Sequence, residues 1–228
     1  MAFVVPAPAV PAVPVEGTDD LFPVRRIFCV GRNYAAHARE MGADPNAEPP
    51  FFFTKPADAV VPPGGAVPYP PATADLHHEV ELVVALAKGG ADIAAEAALD
   101  CVYGYAVGID LTRRDLQAAA KKGGKPWDMA KGFDASAPVS AIRPVARCGH
   151  PSDGAITLAV DGVTRQSGDL SDMIWSVPAM IAYLSTLVIL RPGDLIFTGT
   201  PEGVGAVARG QTMTASVEGV GELTVTLA

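Results

Sequence analysis

Glycine and proline interrupt this chain so often that it has little room for long helices: 23 Gly and 21 Pro fall among 228 residues. Proline removes a backbone donor and glycine loosens the backbone, so the natural outcome is short strands joined by tight turns. Candidate strands are Arg26–Val30, Glu79–Leu86, Ala155–Val160, Leu195–Thr198, Thr212–Val217 and Leu223–Leu227, all rich in Val, Ile, Thr or Leu. Asp161-Gly162 and Glu218-Gly219 supply turns, the first inside a hairpin. Helical spacing is confined to three stretches. About Tyr34–Met41, Asn33 is placed as N-cap and Gly42 just past the end. About Arg113–Ala120, Thr112 and Asp115 have capping-box spacing, which gives Asp115 a structural job. The third helix follows Pro178 and puts Met180, Ile181, Leu184, Leu187 and Val188 on one face. It lies in an uncharged run from Met173 to Leu190. Ser176, Pro178, Ser185, Thr186 and the Arg191-Pro192-Gly193-Asp194 turn make that run a buried helix rather than a membrane span.

With 49% hydrophobic and 18% charged residues, the chain can bury a large single core. We divide it into an extended N-terminal arm, 1–24, and one catalytic domain, 25–228. Residues 1–15 are apolar and carry Pro6, Pro8, Pro11 and Pro14 without a basic segment, unlike a secretory signal. A net charge of −8 excludes nucleic acid and anionic membranes as natural partners. A small anionic substrate would need local cations. Cys29, Cys101 and Cys148 are odd in number and far apart, which suits reduced thiols in a cytoplasm and neither a disulfide scaffold nor a zinc site.

Candidate chemistry begins at His77-His78-Glu79-Val80-Glu81. On a strand, Glu79 and Glu81 share a face, as does His77, and Asp110 closes a second apolar strand after Tyr105–Ile109. Three converging carboxylates form a hard oxygen site for Mg²⁺ or Mn²⁺; the wet face of an edge strand would also read E-x-E. His37 and Glu40, at i and i+3, form either a general-base dyad or a surface pair. Arg114 and Gln117 repeat that spacing four residues beyond Asp110 and lie within reach of its target. Lys131 stands among small residues, with Gly132 allowing close backbone approach to a ligand. Thr198-Gly199-Thr200-Pro201-Glu202-Gly203-Val204-Gly205 is a glycine-rich loop able to cradle a carboxylate or oxyanion, or simply to turn the chain.

Taken in order, Val30-Gly31-Arg32-Asn33-Tyr34, the His77–Glu81 run, Gly104–Asp115, Ala130-Lys131-Gly132-Phe133-Asp134 and the Thr198–Gly205 loop resemble the fumarylacetoacetate hydrolase family from about Arg26 to the C-terminus. Within it, Glu48–Asp58 and the proline-rich start are most similar to fumarylpyruvate hydrolases of bacterial gentisate degradation. Ile109-Asp110-Leu111-Thr112 departs from a common Asn-Asp-Val-Thr but keeps Asp110.

The resemblance implies an α+β, mostly β fold: a mixed β-sandwich roll with a short lid helix, usually a homodimer. It puts the metal on Glu79, Glu81 and Asp110, and the water-activating dyad on His37 and Glu40. Substrate and oxyanion contacts fall on Arg114, Gln117, Lys131 and the backbone around Thr200. The implied reaction is metal-dependent cleavage of a C–C bond in a 1,3-diketo acid, with fumarylpyruvate giving fumarate and pyruvate. Acylpyruvate hydrolysis, oxaloacetate decarboxylation and an oxo-acid isomerase of homoprotocatechuate degradation are the enzymatic alternatives. A silent binding protein on the same scaffold is disfavoured by the joint presence of dyad and ligands. On charge alone, Lys55 or the Arg25–Arg26 pair would meet the distal carboxylate.

Overall fold

The computed structural model describes residues 3–35, 49–64 and 66–228. Its architecture is α+β and dominated by strands, in an open sandwich rather than a closed barrel. Six strands form the central sheet in the order Arg143–Pro144, Val102–Ile109, Val80–Leu86, Asp194–Phe197, Arg26–Gly31 and Phe51–Lys55. Its one parallel pair is Asp194–Phe197 with Arg26–Gly31. A second, five-stranded sheet runs Val163–Asp169, Ala155–Val160, Thr212–Val217, Gly221–Leu227 and Ala66–Val67. Both turn signals are realised, Asp161-Gly162 joining Val160 to Val163 and Glu218-Gly219 lying in the turn between Val217 and Gly221.

The two sheets differ in burial for a simple reason. Val80–Leu86 is buried at every position because both faces of its sheet are covered. Leu82, Val84 and Leu86 point into the core shared with Ile156, Leu158 and Met213, while Val83 and Ala85 face Ile27, Phe197 and the N-terminal Val13, Val15 and Phe22. The last three belong to a small hairpin region in which Ala12–Pro14 pairs with Leu21–Pro23. Thr212–Val217 instead alternates, one face on the core and one toward water. The Val177–Leu187 helix closes the core with Met180, Ile181 and Leu184, and Ser176 caps it by accepting from Ala179 N–H. No helix among the described residues is long and apolar enough to cross a membrane.

One local expectation is corrected. The Arg114–Lys122 helix has Arg113 as its N-cap without a side-chain cap bond. Asp115 does not pair with Thr112; its carboxylate accepts from Thr73 Oγ1 at 2.7 Å, Ala74 N–H at 3.1 Å and Leu116 N–H at 2.8 Å. The Thr73–Asp75 segment competes successfully for it. The Asn33 side chain donates to Trp175 O and Thr198 O and accepts from Trp175 N–H, tying this strand end to two other segments. The expected lid segment carrying His37 and Glu40 lies outside the described residues.

Candidate active site

Two adjacent strands create the carboxylate cluster. Glu81 lies opposite Gly108 in the antiparallel ladder, and Asp110 N–H donates to Glu79 O at 2.8 Å where that ladder ends. Glu79 itself stands one residue outside the strand, between Leu76–His78 and Val80–Leu86. The break arises because Val80 N–H is taken by the Gln166 side chain at 3.0 Å, so the chain passes from a small three-stranded sheet into the central one at Glu79. The spacing still delivers its consequence. Ligand oxygens of Glu79, Glu81 and Asp110 all lie within 4.8 Å of one another, and all three residues are buried. Gly108 is required by packing: a Cβ there would meet Phe197 at 2.6 Å and Val83 at 2.5 Å.

Such a cluster needs positive charge. Lys131 Nζ donates to Glu79 Oε2 and Asp110 Oδ2, each at 2.7 Å, and Lys55 Nζ lies 2.8 Å from Asp110 Oδ1. Arg114 Nη2 donates to Glu79 Oε1 at 2.6 Å. Burial works against the Lys131 charge, but Asp110 and Glu79 overcome it and push its pKa up to about 12. In this arrangement Lys131 is a charged donor to both carboxylates. Glu81 is held by the Gly199 N–H at 2.7 Å, yet burial, then Asp110 and Glu79, raises its pKa well above the usual carboxylate range. Asp110 Oδ1 is fully buried and receives no well-directed hydrogen bond despite its ion pair. An oxygen-only donor set of three converging buried carboxylates fits one divalent cation such as Mg²⁺ or Mn²⁺.

Around this centre lies an open pocket lined by Glu79, Glu81, Arg114, Gln117, Lys131 and Thr200. Arg114, already bonded to Glu79, also donates from Nη1 to Gln117 Oε1 at 2.7 Å and from Nε to His77 Nδ1 at 3.3 Å. His77 consequently donates through Nε2 to Asp75, 2.9 Å away, and serves Arg114 rather than the carboxylate cluster. Against this geometry stands the family comparison: residues 26–228 match the model described as Fumarylacetoacetate (FAA) hydrolase C-terminal.

The chain belongs to the fumarylacetoacetate hydrolase family. It is therefore an enzyme of that family, and its relatives include more than one activity. A fumarylpyruvate hydrolase structure from Pseudomonas aeruginosa, in complex with Mn²⁺ and pyruvate, is 53% identical with a TM-score of 0.97, covering 100% of this chain and 99% of that one. A Burkholderia cenocepacia structure provisionally described as a fumarylpyruvate hydrolase is 57% identical with a TM-score of 0.94, at the same coverage. The mitochondrial oxaloacetate tautomerase of Arabidopsis thaliana is 46% identical over 200 residues, 87% of this chain and 88% of that protein.

Several residues of this family site escape a reading by local sequence. Gln166 is wholly buried; its Oε1 accepts from Val80 N–H and His78 Nδ1, and its Nε2 donates to Thr200 Oγ1 at 2.8 Å and Pro201 O at 3.0 Å. With its oxygen accepting from Gln166, the Thr200 hydroxyl keeps its own hydrogen for the pocket. A glutamine in a hairpin strand gives no hint of this. Arg32, Lys121, Phe51 and Trp127 also line the pocket, brought in from separate elements. Other expectations fail. Lys55 is buried against Asp110, with its ammonium also on the Leu111 and Lys131 carbonyls, and cannot meet a distal carboxylate. Arg25 and Arg26 are paired with Asp194. Gly132 admits Pro56, whose Cδ would lie 3.2 Å from an added Cβ, rather than a ligand. The Gly199 N–H of the glycine-rich loop holds the protein's own Glu81 carboxylate, at φ +95° and with Asn33 Cβ 2.7 Å from any added Cβ.

Proposed function

We propose that this enzyme hydrolyses fumarylpyruvate to fumarate and pyruvate, in the cytoplasm, as a homodimer serving gentisate degradation. The observation that carries this reading is the full-length similarity to a fumarylpyruvate hydrolase that binds Mn²⁺ and pyruvate. One divalent cation held by Glu79, Glu81 and Asp110 would supply Lewis-acid stabilisation of negative charge on the pyruvyl oxygens. His37, oriented by Glu40, takes a proton from the water that adds to the acyl ketone. The C–C bond to the pyruvyl methylene then breaks, its electron pair staying with that carbon, which is reprotonated to give pyruvate beside fumarate. The Lys131 ammonium supports the oxyanion formed by water addition. Arg114, braced by Gln117 and His77, holds the pyruvyl end, with the Thr200 hydroxyl as a further donor.

A second reading, oxaloacetate tautomerisation or decarboxylation, is favoured by the Arabidopsis relative. Both reactions need charge stabilised on a three-carbon oxo-acid end, and neither needs an attacking water. The test is pyruvate release from fumarylpyruvate, acetylpyruvate and oxaloacetate, with oxaloacetate enol–keto conversion followed in parallel, in Mg²⁺ or Mn²⁺. Fumarylpyruvate should have the highest kcat/KM; a higher value for either oxaloacetate reaction overturns the assignment. His37→Ala should lower fumarylpyruvate hydrolysis by about 10²–10⁴, the usual range for lost acid–base catalysis, and affect oxaloacetate decarboxylation less. Equal losses in both would make His37 a general binding residue.

A further inference from the structure

Arg114, Gln117 and Lys121 follow one another at i, i+3 and i+7 along the Arg114–Lys122 helix, and all three line the pocket. This face runs outward from the carboxylate cluster over about 10 Å of helix rise. Arg114 at its inner end is committed to Glu79. Lys121 at its outer end lies over the Trp127 ring, 5.0 Å from its centroid. Across from it, Arg32 lies 5.6 Å from the Phe51 centroid, and the Phe51 and Trp127 rings meet edge-on at 5.4 Å. Neither cation has an ion-pair partner among the described residues. They also repel: burial, then Arg114 and Arg32, lowers the pKa of Lys121. Arg32 holds a left-handed backbone at φ +60°, a conformation that costs a non-glycine residue energy and persists where a side chain must be aimed. All this occurs in a chain of net charge −8.

We propose that Arg32 and Lys121, framed by Phe51 and Trp127, form the subsite for the second, distal carboxylate of the substrate, so that the pocket selects dianionic acylpyruvates over monoanionic ones. The flat aromatic walls suit a conjugated, planar acyl chain between the two charged ends. The chemical class is thus an α-keto diacid whose carboxylates are separated by a short chain. This inference rests on the functional reading above but can fail separately from it.

The experiment has a binding arm and a turnover arm. In the first, Mn²⁺-loaded protein is titrated calorimetrically with α-ketopimelate, a diacid of the same carbon count as fumarylpyruvate, and with α-ketoheptanoate, which lacks the distal carboxylate. Wild type should prefer the diacid by about 10- to 100-fold, the scale of charge-assisted hydrogen bonds. Arg32→Met and Lys121→Met should each erase most of that preference, and Lys121→Arg should restore it by keeping the charge. In the second arm, the kcat/KM ratio of fumarylpyruvate over acetylpyruvate should fall by a similar factor in the Met variants, mainly through KM. Equal affinity of wild type for both keto acids, or equal loss of both ligands in the Met variants, overturns the subsite. A protein that shows the diacid preference but cleaves neither acylpyruvate keeps the subsite and loses the hydrolase reading.

Discussion

At the inner end of the pocket, Glu79, Glu81 and Asp110 face Lys131, Lys55 and Arg114, carboxylates and cations nearly balanced and almost sealed from water. At the outer end, Arg32 and Lys121 flank two aromatic rings, and Glu79 and Glu81 are the only carboxylates among the described lining residues. The inner groups come from the central sheet and from short elements locked against it. The outer ones come from a strand end, the last turn of a helix and a loop. The difference teaches where each task lies: charge that must be held still is built into strands, while charge that chooses among substrates sits where substitution disturbs little packing.

The largest effect should come from breaking the inner balance. Asp110→Ala removes the carboxylate partner of buried Lys55 and one of the two that Lys131 has. Leaving a buried ion unpaired costs about 3–5 kcal/mol, so denaturant unfolding should show a loss of that size in protein free of metal. Calorimetric Mn²⁺ binding should vanish in the same variant. If Asp110→Ala unfolds like wild type, the inner end is not the tightly coupled cluster described here, and the contrast with the outer end collapses.

A smaller effect is expected one layer behind the pocket. Gln166→Leu keeps the volume but leaves the Val80 N–H and His78 Nδ1 without their acceptor and frees the Thr200 hydroxyl to rotate. Unsatisfied buried donors cost about 1–3 kcal/mol each, which thermal unfolding would register. If Gln166 positions Thr200, kcat/KM should also fall by about 10-fold, roughly one lost hydrogen bond, while Mn²⁺ affinity holds. A stability loss with unchanged kcat/KM would reduce Gln166 to a core residue and detach Thr200 from the substrate.

How much of this was legible in the sequence follows from the range of the interactions. Ala155–Val160 and Thr212–Val217 are found with the expected bounds because period-two alternation is a local signal. Phe51–Lys55 carries no such alternation: it is an edge strand whose three consecutive phenylalanines are all partly buried, and its one buried residue is a lysine. The carboxylate cluster was readable because E-x-E, ambiguous with a wet strand edge on its own, is joined by a strand-end Asp110 and by the order of the other motifs. Gln166 and Lys121 were not, since their roles depend on Thr200 and Trp127 brought near by folding. Lys55 misled because charge says nothing about direction: the side chain points inward to Asp110.

The smallest predicted effect concerns the helix that spans both ends. Asp115 anchors its first turn to Thr73 and Ala74. Slight burial opposes its charge, but the bonds from Thr73, Ala74 and Leu116 prevail and hold its pKa below the ordinary carboxylate value. The folded form therefore binds its proton less readily than the unfolded chain. The resulting stability is fully present above the unfolded pKa of about 3.9 and is lost as pH falls through the lower folded value. At neutral pH, Asp115→Ala should cost about 1 kcal/mol, the net worth of such surface hydrogen bonds. The gap between wild type and variant should narrow below about pH 3.9 in acid unfolding. Because Arg114, Gln117 and Lys121 ride on the same helix, the variant should change binding at the inner and outer ends in proportion and leave the preference for diacids intact. A selective loss of that preference in Asp115→Ala would show that the outer end depends on helix anchoring more than on the charges of Arg32 and Lys121.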